Sequence, residues 1–221
     1  IKDANVKARK IMVVEKAIAD GLGMDIDVKN SQGVLVVDIG YDTTEVSILS
    51  LGGIVLSRLI KTGGLKFDEA VRQTVRREFN LLIGQKTAAT IRQSIGDLEK
   101  EGKGAVVYGR DIVVGLPVER EIPTDLINSC LEEHFNTIID SVKVILERTP
   151  PELGADIFKH GVYLTGGASQ TSHFAELLQK STGLKVNQAQ RPLESVVLGM
   201  GRILKEDNYK SVAYAIEGMG K

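Results

Sequence analysis

The chain has 221 residues, and its 28 lysines and arginines nearly balance 29 aspartates and glutamates, for a formal net charge of -1. This balance gives no electrostatic reason to expect a nucleic acid as the main partner. The single cysteine, Cys130, excludes an internal disulfide framework and a cysteine-built zinc site, and it favours a cytoplasmic protein. Because the chain opens on Ile1 and not on Met, we expect it to begin partway through a longer polypeptide.

The first sixty residues or so predict a strand-rich segment. Ile11–Val14 is an apolar run typical of a short strand, and residues 15–20 predict a short helix that Gly21 and Gly23 end. Three strands are then expected in quick succession, joined by hairpin turns at Gly40–Thr43 and Gly52-Gly53: 33–39, 44–51 and 54–61.

Two helices and an inserted region are expected next. Apolar residues at spacings of three and four predict a helix over 67–82, and a second helix over 86–95 is expected to end near Gly96. The stretch 102–123 is β-like and lies between core helices, so we expect an inserted subdomain there. Its strand candidates are 105–108, 112–114 and 118–122.

The second half alternates helices with short strands. Thr124 or Asp125 is expected to cap a long helix, Ser172 to cap a later one, and Pro192 to open the last one. Strands are expected at 161–165 and 184–186, the apolar face of the last helix at Val196, Val197, Met200 and Leu204, and a mobile tail at 206–221. This order predicts a three-layer α/β fold with a mixed sheet.

A polar turn follows the first predicted core strand, in the run Asp38-Ile-Gly-Tyr-Asp-Thr-Thr44. A carboxylate at the end of a buried strand is costly unless something uses it, such as the water shell of a metal ion. Gly40 permits close backbone approach, turn N–H groups can form an anion-binding nest, and the two threonines add hydroxyl donors. The turn is a candidate phosphate loop. The alternative is an ordinary hairpin turn whose side chains satisfy their own backbone.

A second glycine-rich turn ends a later strand, in the run Gly161-Val-Tyr-Leu-Thr-Gly-Gly-Ala-Ser169. Ligands of α/β sheets gather beyond the carboxyl ends of strands, where glycine lets the backbone approach them. The alternative is a tight strand–helix connection. Two such turns in one fold are more informative than either alone, because each can contact a different part of one nucleotide.

Taken together, these segments resemble the MreB family of bacterial actin-like cytoskeletal proteins. The resemblance runs along most of the chain and is carried by Val36-Val-Asp-Ile-Gly40, Thr43-Thr-Glu-Val46, Phe67-Asp-Glu-Ala70, Leu146-Glu-Arg-Thr-Pro-Pro-Glu-Leu153, Asp156-Ile157 and Leu164-Thr-Gly-Gly167. It implies the C-terminal half of an actin-like ATPase, an α/β domain of the ribonuclease-H-like class with a mixed sheet between helices and a small inserted subdomain. The implied divisions are a lead-in from an absent N-terminal domain, a core in two pieces, an insertion and a tail: 1–32, 33–83 with 123–205, 84–122 and 206–221.

The same resemblance implies ATP and Mg²⁺ as cofactors. Asp38 to Thr44 would be the second phosphate loop, and Gly166 to Ala168 the adenosine-side loop. The residues expected to bind the nucleotide are Asp38, Gly40, Tyr41, Asp42, Thr43, Thr44, Gly166, Gly167 and Ala168, with Asp38 also facing the metal. Family members usually have two glycines where this chain has Tyr41 and Asp42. A carboxylate at Asp42 repels phosphate unless it turns away or joins the water shell of the metal.

A second departure concerns hydrolysis. The segment Val14-Glu-Lys-Ala17 aligns with a family segment in which two acids precede a proline. The acid thought to orient the attacking water falls on Lys16, and an ammonium group cannot accept a proton from water. Glu15 and Thr43 are the remaining catalytic candidates, with Glu15 in place only if the local strand end is rotated. The first phosphate loop is not in this sequence, so we expect weak nucleotide binding by this chain.

The function implied by the resemblance is that of an actin-like cytoskeletal protein, which binds ATP and assembles into filaments that organise cell shape. Its expected partners are further copies of itself and membrane-bound morphogenesis proteins, without nucleic acid. Its expected location is the cytoplasm, with the filaments at the membrane. Two alternatives stay open: a catalytically silent actin-like scaffold, and another ATPase of the sugar-kinase or chaperone kind on the same fold.

Overall fold

The computed structural model describes residues 10–215 and shows a mixed α/β arrangement. Within that range the strands are β1 (Val34–Ile39), β2 (Thr44–Ser50), β3 (Gly53–Ile60), β4 (Leu81–Leu82), β5 (Ala105–Asp111), β6 (Pro117–Ile122), β7 (Val162–Thr165) and β8 (Val186–Gln188). The helices are α1 (Lys16–Gly23), α2 (Gly64–Phe79), α3 (Gln85–Lys100), α4 (Thr124–Glu147), α5 (Pro151–His160), α6 (Phe174–Thr182) and α7 (Ser195–Lys205). Two 3₁₀ helices span Gly167–Gln170 and Asp207–Val212.

The larger sheet has five strands in the order β3-β2-β1-β7-β8. The first three strands run antiparallel through two hairpins, whereas β7 is parallel to β1 and β8 is parallel to β7. The predicted mixed sheet is thereby confirmed. Strand β1 lies in the centre and is buried along its whole length, as its apolar run Val34–Val37 requires.

Alternation along β1 separates two hydrophobic cores. Leu35, Val37 and Ile39 pack into the larger core with helices α2, α4 and α6, while Val34 and Val36 pack into a smaller core with α1 and α7. Successive side chains of a strand point to opposite faces of the sheet, so Asp38 continues the second series. The sheet therefore directs this carboxylate toward α1.

A small second sheet, β4-β5-β6, is antiparallel and packs beside α3. The prediction of a strand at Ile112–Val114 is wrong, because these residues form the turn between β5 and β6. Asp111 causes the turn: its Oδ1 accepts hydrogen bonds from the N–H groups of Val113 at 2.8 Å and Val114 at 3.0 Å. Such a side chain replaces a neighbouring strand as the acceptor of these backbone donors.

The two ends of the described range meet. The predicted strand Ile11–Val14 is reduced to one bridge, in which Val13 pairs with Tyr214. Residues Asp207–Val212 of the predicted tail form a 3₁₀ helix, and Tyr209 is buried in the smaller core. Residues 216–221 lie outside the described range.

Several helix ends also differ from prediction. Gly21 and Gly96 lie inside α1 and α3 and do not end them, whereas Gly23 is the last residue of α1, as predicted. The hydroxyl of Ser172 accepts a hydrogen bond from the N–H of Gly96 at 3.1 Å and does not cap α6, which begins after His173. Helix α4 begins at Thr124 itself, directly after Pro123, so neither predicted residue caps it.

The last helix begins at Ser195 and not at Pro192, and its predicted apolar face is wrong. Its buried side is Ser195, Gly199 and Ile203, which pack toward α1. The predicted face is partly buried at its first residue and exposed at the next three: Val196, Val197, Met200 and Leu204. Helices α1 and α7 cross so closely that small residues, and not the large apolar ones, occupy the contact.

Candidate functional site

The phosphate-loop candidate is a tight turn between β1 and β2. The N–H of Gly40 donates to the carbonyl of Thr43 at 2.9 Å and closes the turn. Within residues 10–215, the N–H groups of Tyr41, Asp42 and Thr43 donate to no protein acceptor. A row of unpaired turn N–H groups is the arrangement that binds an anion.

The start of α2 holds this turn in place. The N–H of Gly64 donates to the carbonyl of Gly40 at 3.0 Å, and the N–H of Leu65 donates to the carbonyl of Tyr41 at 2.7 Å. The N-terminal end of a 16-residue helix thus lies against the candidate loop and adds a favourable potential for negative charge. Sequence reasoning did not include Gly63-Gly64, although a glycine pair at the start of a predicted helix was a usable signal.

The adenosine-loop candidate follows β7 and touches the first loop. Strands β1 and β7 are parallel neighbours with Asp38 opposite Thr165, so the next residue, Gly166, lies beside Asp38. Gly166 has a φ of 89°, and a Cβ there would overlap both the Asp38 carboxylate and the Ile39 carbonyl. Only glycine combines this conformation with so close an approach. The structure therefore brings the two predicted turns together.

Hydrogen bonds fix the second loop locally. The N–H of Gly166 donates to the carbonyl of Pro192 at 3.1 Å, and the Ser169 hydroxyl donates to the carbonyl of Gly166 at 2.7 Å. Gly167 and Ala168 begin the 3₁₀ helix that follows, with Ala168 buried. The loop is preformed.

The predicted side chains of the first loop have different surroundings. Thr44 is fully buried and its hydroxyl donates to the carbonyl of Thr62 at 2.7 Å, so it fixes the end of the loop and does not face a ligand. Tyr41 is exposed, and its hydroxyl accepts a hydrogen bond from the Gln85 amide. Asp42 is exposed and Thr43 is half-buried.

Lys16 forms an ion pair with Asp38, and its Nζ lies 3.8 Å from Glu45 Oε2. Asp38 and Glu45 are paired across β1 and β2, which places both carboxylates on the α1 face of the sheet. Burial works against the charge of Lys16, but Asp38 and then Asp20 and Glu45 outweigh it, so the pKa of Lys16 lies above its ordinary value.

Asp20 lies one turn along α1 and was missed by sequence reasoning. The residue is 1% exposed, and burial, followed by the nearby charge of Asp38, raises the pKa of Asp20 to about 8. Its Oδ2 has no hydrogen-bond partner within residues 10–215. The available signal was an acid within the otherwise apolar run Ala17-Ile-Ala-Asp-Gly-Leu22.

Glu15 points elsewhere. It precedes α1, is exposed, and its Oε1 accepts a hydrogen bond from the Tyr214 hydroxyl at 3.2 Å. The structure thus brings Lys16 to Asp38, and Glu15 to the C-terminal segment.

Neither a protein-built metal centre nor a membrane span is found in the described part of the chain. No three His, Cys, Asp or Glu side chains of residues 10–215 are arranged to hold a metal ion. None of the helices in that range is both long and apolar enough to cross a bilayer.

Comparison with known proteins identifies the family. Residues 2–212 match the family described as MreB/Mbl protein. The cell shape-determining protein MreB of Escherichia coli (strain K12) is 38% identical over 200 residues, which are 90% of this chain and 58% of that protein. The chain therefore spans less than two thirds of this relative.

Solved structures agree in fold. MreB5 of Spiroplasma citri bound to ADP has a TM-score of 0.83 and 38% identity, over 90% of this chain and 60% of that one. The MamK double helical filament has a TM-score of 0.70 at 20% identity, over 87% of this chain and 59% of that one, a likeness of fold alone. On the sequence match and this shared architecture, the chain belongs to the MreB/Mbl family and has its actin-like fold.

Proposed function

We propose that this chain supplies one side of an adenine-nucleotide site in an actin-like cytoskeletal protein, which binds ATP and assembles into filaments that organise cell shape. One observation carries the proposal: the turn at 40–43, with its unpaired N–H groups, lies against the turn at Gly166, because Asp38 and Thr165 are neighbours in the sheet. The two predicted halves of a nucleotide site are thus adjacent.

The roles of the loop residues follow from their positions. The backbone N–H groups of Tyr41, Asp42 and Thr43 would bind phosphate oxygens, and the Thr43 hydroxyl would add a donor. Gly166 and Gly167 would let the adenosine side approach the backbone. The resolved relative bound to ADP, at 38% identity, supports an adenine nucleotide as the ligand.

Magnesium belongs to the proposal as an ion carried on the nucleotide phosphates. The expected place of Asp38 at the water shell of that ion does not fit the residues present, because Lys16 already pairs with its carboxylate. Mg²⁺ prefers carboxylates that are free to accept its bound waters.

Self-association is proposed from family membership and from one surface feature. The tip of the β5–β6 hairpin exposes four apolar side chains: Ile112, Val113, Val114 and Leu116. A contiguous apolar tip on a polar surface marks an interaction site. Membrane-bound morphogenesis proteins as partners, and filaments lying at the membrane, extend the same proposal.

Nucleotide titration tests the proposal. A fluorescent ADP analogue should bind the chain and be displaced by ATP, and Gly166→Val should abolish binding because its side chain would overlap Asp38. Gly201→Ala is the matched control, because a Cβ added at this helix position meets no atom within 4 Å. This variant should bind the nucleotide normally. Equal binding by Gly166→Val would refute this placement of the site.

A catalytically silent scaffold is the second candidate, and the position of Lys16 favours it. An ammonium group lies where the resemblance expects an acid, and Glu15 is bound to Tyr214. ATP binding without phosphate release would support this candidate. The catalytic roles of Glu15 and Thr43 stay predictions until turnover is measured.

A further inference from the structure

Lys16 places one cation among three acidic side chains that come from three elements. Its ammonium pairs with Asp38 of β1 and lies 3.8 Å from Oε2 of Glu45 in β2. Asp20 lies one turn further along α1, where the charges of Asp38 and Lys16 act on it. One ammonium group therefore lies beside Asp38 and Glu45, and these two carboxylates form an acidic cluster with Asp20.

This cluster is shielded from solvent. The side chain of Asp38 is 8% exposed and that of Glu45 is 18% exposed. Oδ2 of Asp20 is buried and receives no hydrogen bond from residues 10–215. Carboxyl groups in such surroundings need a cation or a proton, because burial penalises their free charge. Within the described range, Lys16 is the only cation paired with any of the three.

The position of Lys16 on its helix argues that the carboxylates hold it there. Lys16 is the first residue of α1, and the positive end of a helix dipole disfavours a cation at that place. The ion pair with Asp38 offsets this unfavourable effect of the helix dipole. The flexible four-carbon stem of lysine carries the charge from the helix to the sheet, where a shorter side chain would not reach.

We infer that the ammonium group of Lys16 occupies the cation position beside Asp38, so that this side of the cleft binds nucleotide without help from magnesium. The inference rests on the proposed nucleotide site. Phosphate oxygens would meet the N–H donors of the ammonium directly, in charge-assisted hydrogen bonds. A magnesium ion on the same phosphates gains nothing from Asp38 while Lys16 is paired with it.

The test compares ADP affinity in the presence of Mg²⁺ with affinity in EDTA, using the fluorescent ADP analogue. For the unaltered chain the two dissociation constants should agree within about twofold. In Lys16→Met the acidic cluster loses its cation, so ADP binding in EDTA should weaken. The dissociation constant in EDTA should then exceed that in Mg²⁺ by about tenfold or more, the size of one lost charged hydrogen bond. Lys16→Arg keeps a cation and should restore magnesium independence.

Lys100→Met is the matched control. Lys100 also pairs with a carboxylate three residues away, Asp97, at 3.0 Å, but it lies at the exposed C-terminal end of α3, outside the cluster. This variant should behave as the unaltered chain does. Circular dichroism checks that each variant folds, and Lys16→Gln replaces Lys16→Met if that variant does not. A tenfold magnesium dependence already in the unaltered chain, or an unchanged ratio in the neutral Lys16 variant, overturns the inference.

A second measurement separates this inference from the proposed function. If ADP binds under neither condition, the proposed nucleotide site is refuted, and NMR then tests the part of the inference that does not need nucleotide, the ammonium group in the cation position beside Asp38. The Cε resonance of Lys16, assigned by its loss in Lys16→Met, should stay in place when Mg²⁺ is added and should shift in Asp38→Asn. A shift on adding Mg²⁺ would show that the metal displaces the ammonium, and would overturn the inference.

Discussion

Arg92 of α3 and Asp68 of α2 form a buried ion pair, with Nε 2.8 Å from Oδ1 and side chains that are 6% and 3% exposed. The same guanidinium donates from Nη1 to the Thr171 hydroxyl at 2.8 Å. Thr171 directly follows the 3₁₀ helix Gly167–Gln170. One side chain thus ties α3 to α2 and to the segment that follows the candidate adenosine loop.

The first prediction concerns the stability of this link. Arg92→Met should lower the free energy of unfolding by about 3–5 kcal/mol, because it leaves Asp68 buried without its partner. Denaturant unfolding followed by circular dichroism measures the change.

The exposed pair Arg77–Glu78 provides the control, with side chains 68% and 44% exposed. Arg77→Met should change stability by less than about 0.5 kcal/mol. Adding Asp68→Leu to Arg92→Met should recover part of the loss. Equal effects of the two arginine substitutions would contradict the assigned role of burial.

A second prediction orders the acids of the phosphate-loop candidate. Asp38→Ala should weaken nucleotide binding by roughly 1–3 kcal/mol, because Lys16 would lose the partner that positions its charge. Asp42→Gly should leave nucleotide binding unchanged or tighten it. The Asp42 side chain is exposed, so the substitution removes no contact within the described residues. Calorimetric titration with ADP gives both values. The reverse order would show that this loop is misassigned.

Hydrolysis gives a third prediction. Lys16→Glu puts an acid capable of orienting water beside the loop. At saturating ATP and Mg²⁺, which replace the lost cation, single-turnover ATP hydrolysis should rise by about 10²–10⁴-fold if general-base assistance is complete. Glu15→Ala should leave the rate unchanged, because Glu15 is bound to Tyr214. Loss of turnover in Glu15→Ala with no gain in Lys16→Glu would return the catalytic role to Glu15.

The crossing of α1 and α7 gives a fourth prediction. A Cβ at Gly199 would overlap the carbonyl of Ala19, so Gly199→Ala should destabilise the fold by about 1–3 kcal/mol. Gly201, two residues on in the same helix, has open space around it, and Gly201→Ala should stabilise by about 0.5–1 kcal/mol through helix propensity. Thermal unfolding of both variants checks this, and changes of the same sign would disprove the close crossing.

Part of the fold was predictable because the signals were local. The apolar run Val34–Val37 of β1 and the two hairpin turns after it give the central strand and its antiparallel partners. Glycine next to a strand end marked both candidate loops, at Gly40 and at Gly166, since glycine there permits close backbone approach. Their adjacency required one further fact, the parallel pairing of β1 with β7.

The errors share a physical cause. Gly96 was predicted to end a helix, but its N–H donates a hydrogen bond to the hydroxyl of Ser172, which lies more than seventy residues further along the chain. The apolar side chains of α7 looked like its buried face, but close contact with α1 selects Gly199 instead. In each case a distant neighbour outweighed the local preference.

The sequence by itself determined the order of elements, the central strand and the two glycine-rich turns, because hydrophobic period and turn chemistry act over a few residues. Only the tertiary structure decided that Lys16 meets Asp38 while Glu15 meets Tyr214. The direction of a charged side chain depends on which carboxylates and hydroxyls the fold brings within reach. Those partners lie 22 and 199 residues away along the chain, beyond the range of any local pattern.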